Sequence, residues 1–143
     1  MRIVPARASD EQAIKRLLTL EQLPIADIAA ASLNNFLVLR ERDELAGTVG
    51  LDLAGDVALL RSLVVPEAMR GRGVGRKLVM AAEALAKERG VRALYLLTTT
   101  AETFFAALGY ETVARGSAPP AVKAMPQYRT LCPASSILMV RKR

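Results

Sequence analysis

Residues 63–75 read Leu-Val-Val-Pro-Glu-Ala-Met-Arg-Gly-Arg-Gly-Val-Gly, and they are the most informative stretch of the 143-residue chain. An apolar strand ends here, a glycine-rich turn follows, and a basic amphipathic helix begins. Glycines let backbone N–H groups approach a ligand without obstruction by a Cβ, and a helix N-terminus attracts anions. We therefore predict a pyrophosphate site, to which four nearby cations add positive charge: Arg70, Arg72, Arg76 and Lys77.

The pattern of apolar runs on both sides of this stretch predicts a mixed α/β fold. Three runs precede the turn, and the short polar links between them indicate antiparallel strands at Asn35–Glu41, Leu45–Leu53 and Val57–Val65. The segments after the turn read as a helix at Gly73–Arg89, a strand at Ala93–Leu97, a helix at Ala101–Leu108 and strands at Tyr110–Arg115 and Ile137–Arg141. Because a helical crossover joins them, we expect the strands at Val57 and Ala93 to be parallel. Two helices are expected before the sheet, at Asp10–Leu20 and Ile25–Ala31.

Composition limits the class of protein. The chain is 52% hydrophobic and 24% charged, which is typical of a globular protein, and we expect one domain over residues 1–143. It has one cysteine and no histidine, which excludes a conventional zinc site and a Ser–His or Cys–His nucleophile. No apolar run approaches the roughly 18 residues of a membrane span, and the N-terminus has no secretory pattern. We therefore expect a cytoplasmic protein with no metal and no membrane contact.

The net charge of +6 suggests a polyanionic partner, either a nucleic acid or a phosphorylated cofactor. Aromatic residues make up 4% of the chain and tryptophan is absent, so stacking platforms for single strands are poorly supplied. The basic residues concentrate beside the glycines, which favours the cofactor.

Three phosphate-binding motifs compete for the glycine-rich turn. The P-loop pattern fails because Gly71 would require a second glycine where Arg76 stands, and the dinucleotide pattern fails because its third glycine comes one residue early. The spacing Arg70-x-x-Gly73-x-Gly75 matches the third, the [RQ]-x-x-G-x-[GA] signature of GNAT acetyltransferases. The chain resembles that superfamily over nearly its whole length.

This resemblance implies a central mixed sheet of about six or seven strands, flanked by about four helices, with a splayed parallel strand pair. It implies acetyl-CoA as the co-substrate, with pantetheine along the edge of residues 63–65 and the backbone N–H of Val65 facing the thioester. The cofactor-binding positions that it implies are Leu63, Val64, Val65, Arg70, Gly71, Arg72, Gly73, Val74, Gly75, Arg76, Thr98 and Phe105.

A second segment, residues 101–110, resembles the family's A-x-x-[FL]-Y-x-x-x-G-F pattern with two departures. Thr98 stands where the family often has an asparagine, and Phe105 replaces a frequent tyrosine that can protonate the departing thiolate. A phenyl ring has no proton to donate. Either another group supplies it, for which Tyr128 is the candidate, or the thiolate leaves unassisted, since a thiol of pKa about 8.5 is a tolerable leaving group. For Tyr128 the alternative is simple packing.

Four shorter phrases are similar to one branch, the small arsenic-resistance N-acetyltransferases. They are residues 60–65 (LRSLVV), 96–102 (LLTTTAE), 104–105 (FF) and 131–135 (LCPAS). This resemblance implies acetylation of the amino group of a small anionic amino acid, such as an arsenic- or phosphorus-containing glutamate analogue.

Arg61 is a candidate for binding the acid group of such a substrate. A guanidinium in a central strand needs an anion, which could be Asp52, Asp56 or the substrate. Strand alternation would place Arg61 on the same face as Leu63 and Val65, toward the thioester.

Other polar residues carry two interpretations each. Asp52 could be the general base for the amine or only an ion-pair partner. Arg129 and Lys123, in the long segment 116–136, could meet an anionic substrate or remain solvated. Cys132 is expected to pack as a small residue, because one thiol makes a poor metal or arsenic site.

Rival functions remain open at the level of sequence. The chain could be a nucleic-acid-binding module, an acyl-CoA-binding pseudoenzyme (an idea that Phe105 supports), or a GNAT enzyme for a polyamine or a protein N-terminus. The expected partner is a small-molecule amine, with no nucleic acid and a possible homodimer.

Overall fold

The computed structural model of the protein describes residues 2–142, which contain one seven-stranded mixed sheet. The strands are β1 (Arg2–Pro5), β2 (Phe36–Glu41), β3 (Glu44–Ala54), β4 (Val57–Val64), β5 (Ala93–Thr98), β6 (Glu111–Val113) and β7 (Ile137–Lys142). Their order is β1-β2-β3-β4-β5-β7-β6, and every neighbouring pair is antiparallel except β4 and β5. This confirms the expected mixed sheet and its one parallel pair.

Four α-helices connect and cover the strands: α1 (Glu11–Leu20), α2 (Val74–Glu88), α3 (Glu102–Ala107) and α4 (Pro120–Lys123). The long segment 116–136 is partly helical, with α4 followed by a π-helical turn at Gln127–Leu131. None of the helices within residues 2–142 combines the length and the apolar character needed to cross a membrane.

The two faces of the sheet are covered by different elements. The face toward α2 holds one core, in which Leu78 and Val79 pack with Leu60 and Leu96. The opposite face holds two smaller clusters, one under α1 around Phe36 and one under the 116–136 segment around Leu59 and Tyr95. Segment 116–136 therefore packs against part of that face.

The expected helix at Ile25–Ala31 is wrong. A single turn, closed by the Ile28 N–H bond to the Ile25 carbonyl, ends at Ala29, whose backbone is extended at φ −138°. A 3₁₀ helix then runs over Ala30–Asn35. The apolar residues of this segment form one turn that packs Ile28 into the core, and the chain does not continue as a regular helix.

The sequence interpretation also omitted β1, which pairs Ile3 with Leu39 at the edge of the sheet.

A β-bulge near the end of β4 changes which way its last residues face. Three steps along β4, from Arg61 to Val64, oppose only two steps along β3, and Ser62 takes a left-handed conformation at φ 57°. As a result the Arg61 guanidinium lies 5.7 Å from the ring centroid of Phe36 on the α1 side, whereas Leu63 and Val65 pack against the core under α2. The expectation that Arg61 shares a face with Leu63 and Val65 is therefore wrong, because the inserted residue breaks the alternation.

The parallel pair β4–β5 opens into a gap. Pairing runs from Val57 opposite Ala93 to Leu60 opposite Leu96 and stops there. Both strands continue beyond it, β4 to Val64 and β5 to Thr98. The last residues of β4 consequently have no pairing partner on the β5 side, which places a free strand edge beside the glycine-rich turn.

Candidate active site

A cavity of about 650 Å³, which we call the turn cavity, lies between the free end of β4 and the start of α2. Eight of the predicted cofactor-binding residues line it: Leu63, Val64, Val65, Arg70, Gly71, Gly73, Gly75 and Arg76. Arg72 and Val74 are not among its lining residues, and Val74 is buried in the core at 6% exposure.

The backbone of the glycine-rich turn suits a phosphate group. Gly71 and Gly73 adopt left-handed conformations at φ 82° and 78°, which favour glycine, and no atom lies within 4 Å of where a Cβ would stand at either position. Gly73 is the N-cap of the 15-residue helix α2, and no side chain caps the helix. The N–H groups of its first turn are therefore available to an anion.

Gly75 has a different role from the other two glycines. A Cβ there would come within 3.3 Å of both Phe104 Cζ and Val65 Cγ2. The missing side chain thus allows Phe104 to approach the strand end, and Phe104 lines the turn cavity at 37% exposure. Phe104 was not among the predicted site residues. The sequence feature that could have identified it is the adjacent pair Phe104-Phe105, because a short helix can bury only one of two neighbouring rings and leaves the other exposed.

Arg70 is held at the mouth of the turn cavity by a neighbour. Its Nη2 donates to Glu21 Oε1 at 2.8 Å, and its Nε donates to the Val65 carbonyl at 3.3 Å. Both side chains of the Arg70–Glu21 pair are about half exposed, at 51% and 41%. An incoming phosphate can therefore compete with Glu21 for this guanidinium.

A second cavity of about 530 Å³, which we call the loop cavity, adjoins the first and runs under the 116–136 segment. The two cavities share five lining residues: Glu21, Leu23, Leu63, Thr100 and Ala101. Thr98 and Phe105 line the loop cavity and not the turn cavity. Thr98 Oγ1 accepts the Ala101 N–H at 3.0 Å at the start of α3, and Phe105 is 5% exposed with its ring edge-on to Tyr110.

Arg61 lines the loop cavity, but its guanidinium already faces carboxylates. Its two terminal nitrogens bind both oxygens of Asp27, with Nη2 donating to Oδ1 at 2.7 Å. Nη1 also donates to Asp52 Oδ2 at 3.2 Å, and Nε donates to Ser62 Oγ at 3.1 Å. The Arg61 side chain is 2% exposed.

Of the alternatives for Arg61, the structure therefore shows an ion pair within the chain. Asp52 is confirmed as a partner, whereas Asp56 is not among the observed partners. Sequence analysis missed Asp27, because the segment that carries it was expected to be helical. The sequence feature that could have identified Asp27 is an acidic residue between two apolar residues, Ile25 and Ile28, in a segment without other charges.

Burial shapes the chemistry of Cys132, which lines the loop cavity, and of Asp52, which lines neither cavity and contacts the lining residue Arg61. It raises the pKa of Asp52 above the ordinary value of 3.8, and the Arg61 guanidinium offsets part of that effect. Burial also raises the pKa of the Cys132 thiol, whose S–H donates to Gln127 Oε1 at 3.3 Å. A raised pKa suits a carboxylate that must accept a proton, and it keeps the thiol in its unreactive form.

The remaining predicted residues lie outside both cavities. The Tyr128 hydroxyl donates to the Arg115 carbonyl at 3.0 Å, and the Arg115 guanidinium lies 4.8 Å from the centroid of the Tyr128 ring. Arg129 and Lys123 are exposed on the 116–136 segment and line neither cavity. These placements favour packing for Tyr128 and solvation for the two cations.

Comparison with known proteins identifies the family. The sequence matches the profile of the Acetyltransferase (GNAT) family over residues 7–110, and the chain belongs to that family. N-alpha-acetyltransferase 80 of Mus musculus is 45% identical over 53 residues, which cover 37% of this chain and 17% of that protein. The uncharacterized N-acetyltransferase CT2212 of Chlorobaculum tepidum is 42% identical over 57 residues, covering 40% of this chain and 36% of that protein. The matched stretches thus span well under half of these relatives.

Solved structures share the fold. N-acetylglutamate synthase from Neisseria gonorrhoeae, complexed with coenzyme A and N-acetyl-glutamate, superposes with a TM-score of 0.84 at 20% identity, over 99% of this chain and 34% of that chain. An acetyltransferase of the GNAT family from Staphylococcus aureus Mu50 gives a TM-score of 0.76 at 18% identity, over 99% of this chain and 98% of that chain.

Proposed function

We propose that the protein is an N-acetyltransferase that uses acetyl-CoA. The observation that carries this proposal is the turn cavity, which joins two left-handed glycines, the uncapped N-terminus of α2 and the free edge of β4. Membership of the GNAT family supports it, as do the N-acetyltransferase names of the two relatives and the coenzyme A bound to the Neisseria synthase.

The cavity offers each part of acetyl-CoA a suitable surface. The glycine-rich turn and the N–H groups of α2 receive the pyrophosphate, with Arg70 and Arg76 adding charge. Pantetheine adds along the unpaired edge of residues 63–65 by backbone hydrogen bonds, as a peptide strand would. The Val65 N–H then donates to the oxyanion that forms on the thioester carbonyl.

The acceptor amine enters from the loop cavity and attacks the thioester directly. Its nitrogen bonds to the carbonyl carbon, the C–S bond breaks, and the sulfur leaves as the thiolate or, once protonated, as the thiol. An acyl-enzyme on Cys132 is unfavourable, because burial raises the pKa of this thiol. We assign the removal of the amine's proton to Asp52, whose raised pKa suits a base, acting through a relayed water that accepts the proton from the amine and passes it to the carboxylate.

The acceptor that we propose is a small amino acid with an acid group, including arsenic- or phosphorus-containing analogues of glutamate. Three observations support it: the four phrases similar to arsenic-resistance N-acetyltransferases, the net charge of +6, and the loop cavity of about 530 Å³, which is within the usual size of small-molecule sites. A polyamine is the less favoured acceptor. The only carboxylate lining the loop cavity within residues 2–142, that of Glu21, pairs with Arg70.

The decisive experiment is a thiol-release assay with acetyl-CoA and a panel of acceptors. The panel contains L-glutamate, L-glutamine, the methylphosphinate analogue of glutamate, spermidine and a short peptide with a free N-terminus. We expect thiol release with the acidic amino acids. Turnover of spermidine or the peptide alone would refute the acceptor class, and tight binding of coenzyme A in calorimetry without any turnover would identify a pseudoenzyme.

A further inference from the structure

Gln127 lines the loop cavity with a buried amide that is only half satisfied. It begins the π-helical turn over Gln127–Leu131, and the residue is 5% exposed. Its Oε1 accepts the S–H of Cys132 at 3.3 Å. Its Nε2 is one of three buried side-chain polar atoms that have no hydrogen-bond partner among residues 2–142.

An unpartnered buried N–H group costs free energy, so a folded protein retains one where a further group comes to meet it. The neighbouring polar groups do not supply that partner. The Ser136 hydroxyl donates to the Pro133 carbonyl, and Thr98 Oγ1 accepts the Ala101 N–H. Across the same cavity the Arg61 fork is taken by Asp27, so Arg61 does not offer a bidentate site to a ligand. π-Helical turns also occur frequently at functional sites.

We propose that Gln127 binds the acceptor, its Nε2 donating a hydrogen bond to an oxygen of the acceptor's acid or carboxamide group. This inference rests on the proposed function and names the residue that recognises the substrate. Cys132 is the positioning residue, because its S–H fixes Oε1 and leaves Nε2 turned away from it. A protonated polyamine has donors but no acceptor oxygen, so this contact discriminates against it.

The test compares steady-state kinetics of the wild type, Gln127→Met and Gln127→Glu with L-glutamate, L-glutamine and the methylphosphinate analogue. Methionine keeps the length of the side chain but cannot donate, so the KM for the acceptor should rise about tenfold. Glutamate replaces the donor with a carboxylate, and the KM for an anionic acceptor should rise about a hundredfold. The KM for acetyl-CoA should not change in either variant.

Thermal unfolding separates this role from a structural one. Gln127→Met removes an unsatisfied donor and only one weak bond, that from the Cys132 S–H, so its midpoint without ligands should stay within about 2 °C of the wild type. Gln12→Met, at an exposed position of α1, is the matched control and should change neither KM value.

Two kinds of result overturn the inference. One is an unchanged acceptor KM in both Gln127 variants, or a rise in both KM values together with a clear fall in the unfolding midpoint. The other is turnover restricted to amines that carry no acid or amide oxygen. If the wild type releases no thiol with any acceptor, the proposed function itself fails, which is a distinct outcome.

Discussion

Arg61 links two parts of the chain beside the loop cavity through its ion pairs. Its buried guanidinium joins two carboxylates from distant parts of the chain, Asp27 before the sheet and Asp52 on β3. A buried charge without a partner is far more costly than an exposed one. The three residues therefore tether the segment before β2 to the centre of the sheet, beside the loop cavity.

Replacing Arg61 with lysine should destabilise the protein by about 2 kcal/mol or more, because a single ammonium cannot serve both oxygens of Asp27 and also reach Asp52. Urea unfolding measures the loss. Arg70→Lys is the control, since its pair with Glu21 is half exposed and should cost no more than about 1 kcal/mol. Equal losses in the two variants would contradict the structural role of the Arg61 cluster.

Tyr128→Phe should leave kcat within about threefold of the wild type, because its hydroxyl bonds the Arg115 carbonyl outside both cavities. The variant should lose only about 1 kcal/mol of stability, the net value of one hydrogen bond. Kinetics at saturating acetyl-CoA and acceptor would check the first figure. A loss of kcat beyond tenfold would instead give the loop phenol the proton-donating role that Phe105 cannot perform.

The glycine-rich turn and α2 together provide the backbone N–H groups and the cations that line the turn cavity. The open space at Gly71 and Gly73 leaves the backbone of the turn accessible to a ligand. Substitutions at Gly73 can therefore change the ligand site without disturbing packed atoms.

Gly73→Asp and Gly73→Asn form a matched pair that separates charge from conformation. Both residues tolerate the left-handed backbone of Gly73 at φ 78°, and both should fold. Only aspartate places a negative charge at the proposed pyrophosphate site. Calorimetry should show coenzyme A binding at least tenfold weaker to the Asp variant than to the Asn variant. Equal affinities would refute the proposed phosphate site.

Elements with a strong local signal were predictable from the sequence, and those fixed by long-range contacts were not. The turn, α2 and the parallel pair β4–β5 follow from glycine spacing and apolar periodicity. The edge strand β1 is only four residues long and becomes a strand by pairing with β2. The bulge at Ser62 has no sequence marker, since serine rarely adopts a positive φ, and only the pairing with β3 reveals it. Asp27 and Gln127 lie on turns whose positions depend on packing against the sheet, which local sequence does not determine.

Across the whole molecule, two cavities meet at the gap between β4 and β5. The turn cavity lies at the α2 end of the gap, and the loop cavity lies under segment 116–136. Their shared residues make one continuous passage. Under the proposed function, this passage would hold acetyl-CoA and the acceptor together, as direct transfer requires.

The pH dependence of folding should carry the signature of Asp52. Its pKa is raised by burial, so the folded state holds this proton more tightly than the unfolded chain does. The Asp52 contribution to stability is then fully present below its ordinary pKa of 3.8 and is lost as pH rises through the raised value. The free energy of unfolding of the wild type minus that of Asp52→Asn should therefore fall with rising pH. Urea titrations of both proteins from acid to neutral pH measure this difference. A difference that rises with pH would contradict the burial effect.

The bulge at Ser62 acts on β4 as a one-letter insertion acts on a reading frame. Every side chain after it is shifted to the other side of the sheet relative to a regular strand. An alignment with relatives that lack the bulge therefore needs a one-residue gap at Ser62. Residues before the gap align from the start of β4, and residues after it align from the glycine-rich turn. A regular β4 that kept Ser62 would turn Leu63 and Val65 toward α1 and Val64 toward α2, whereas deleting Ser62 would remove the bulge and leave these side chains on their present faces. The face that each side chain after Arg61 takes is thus set by the bulge as much as by the identity of the residues.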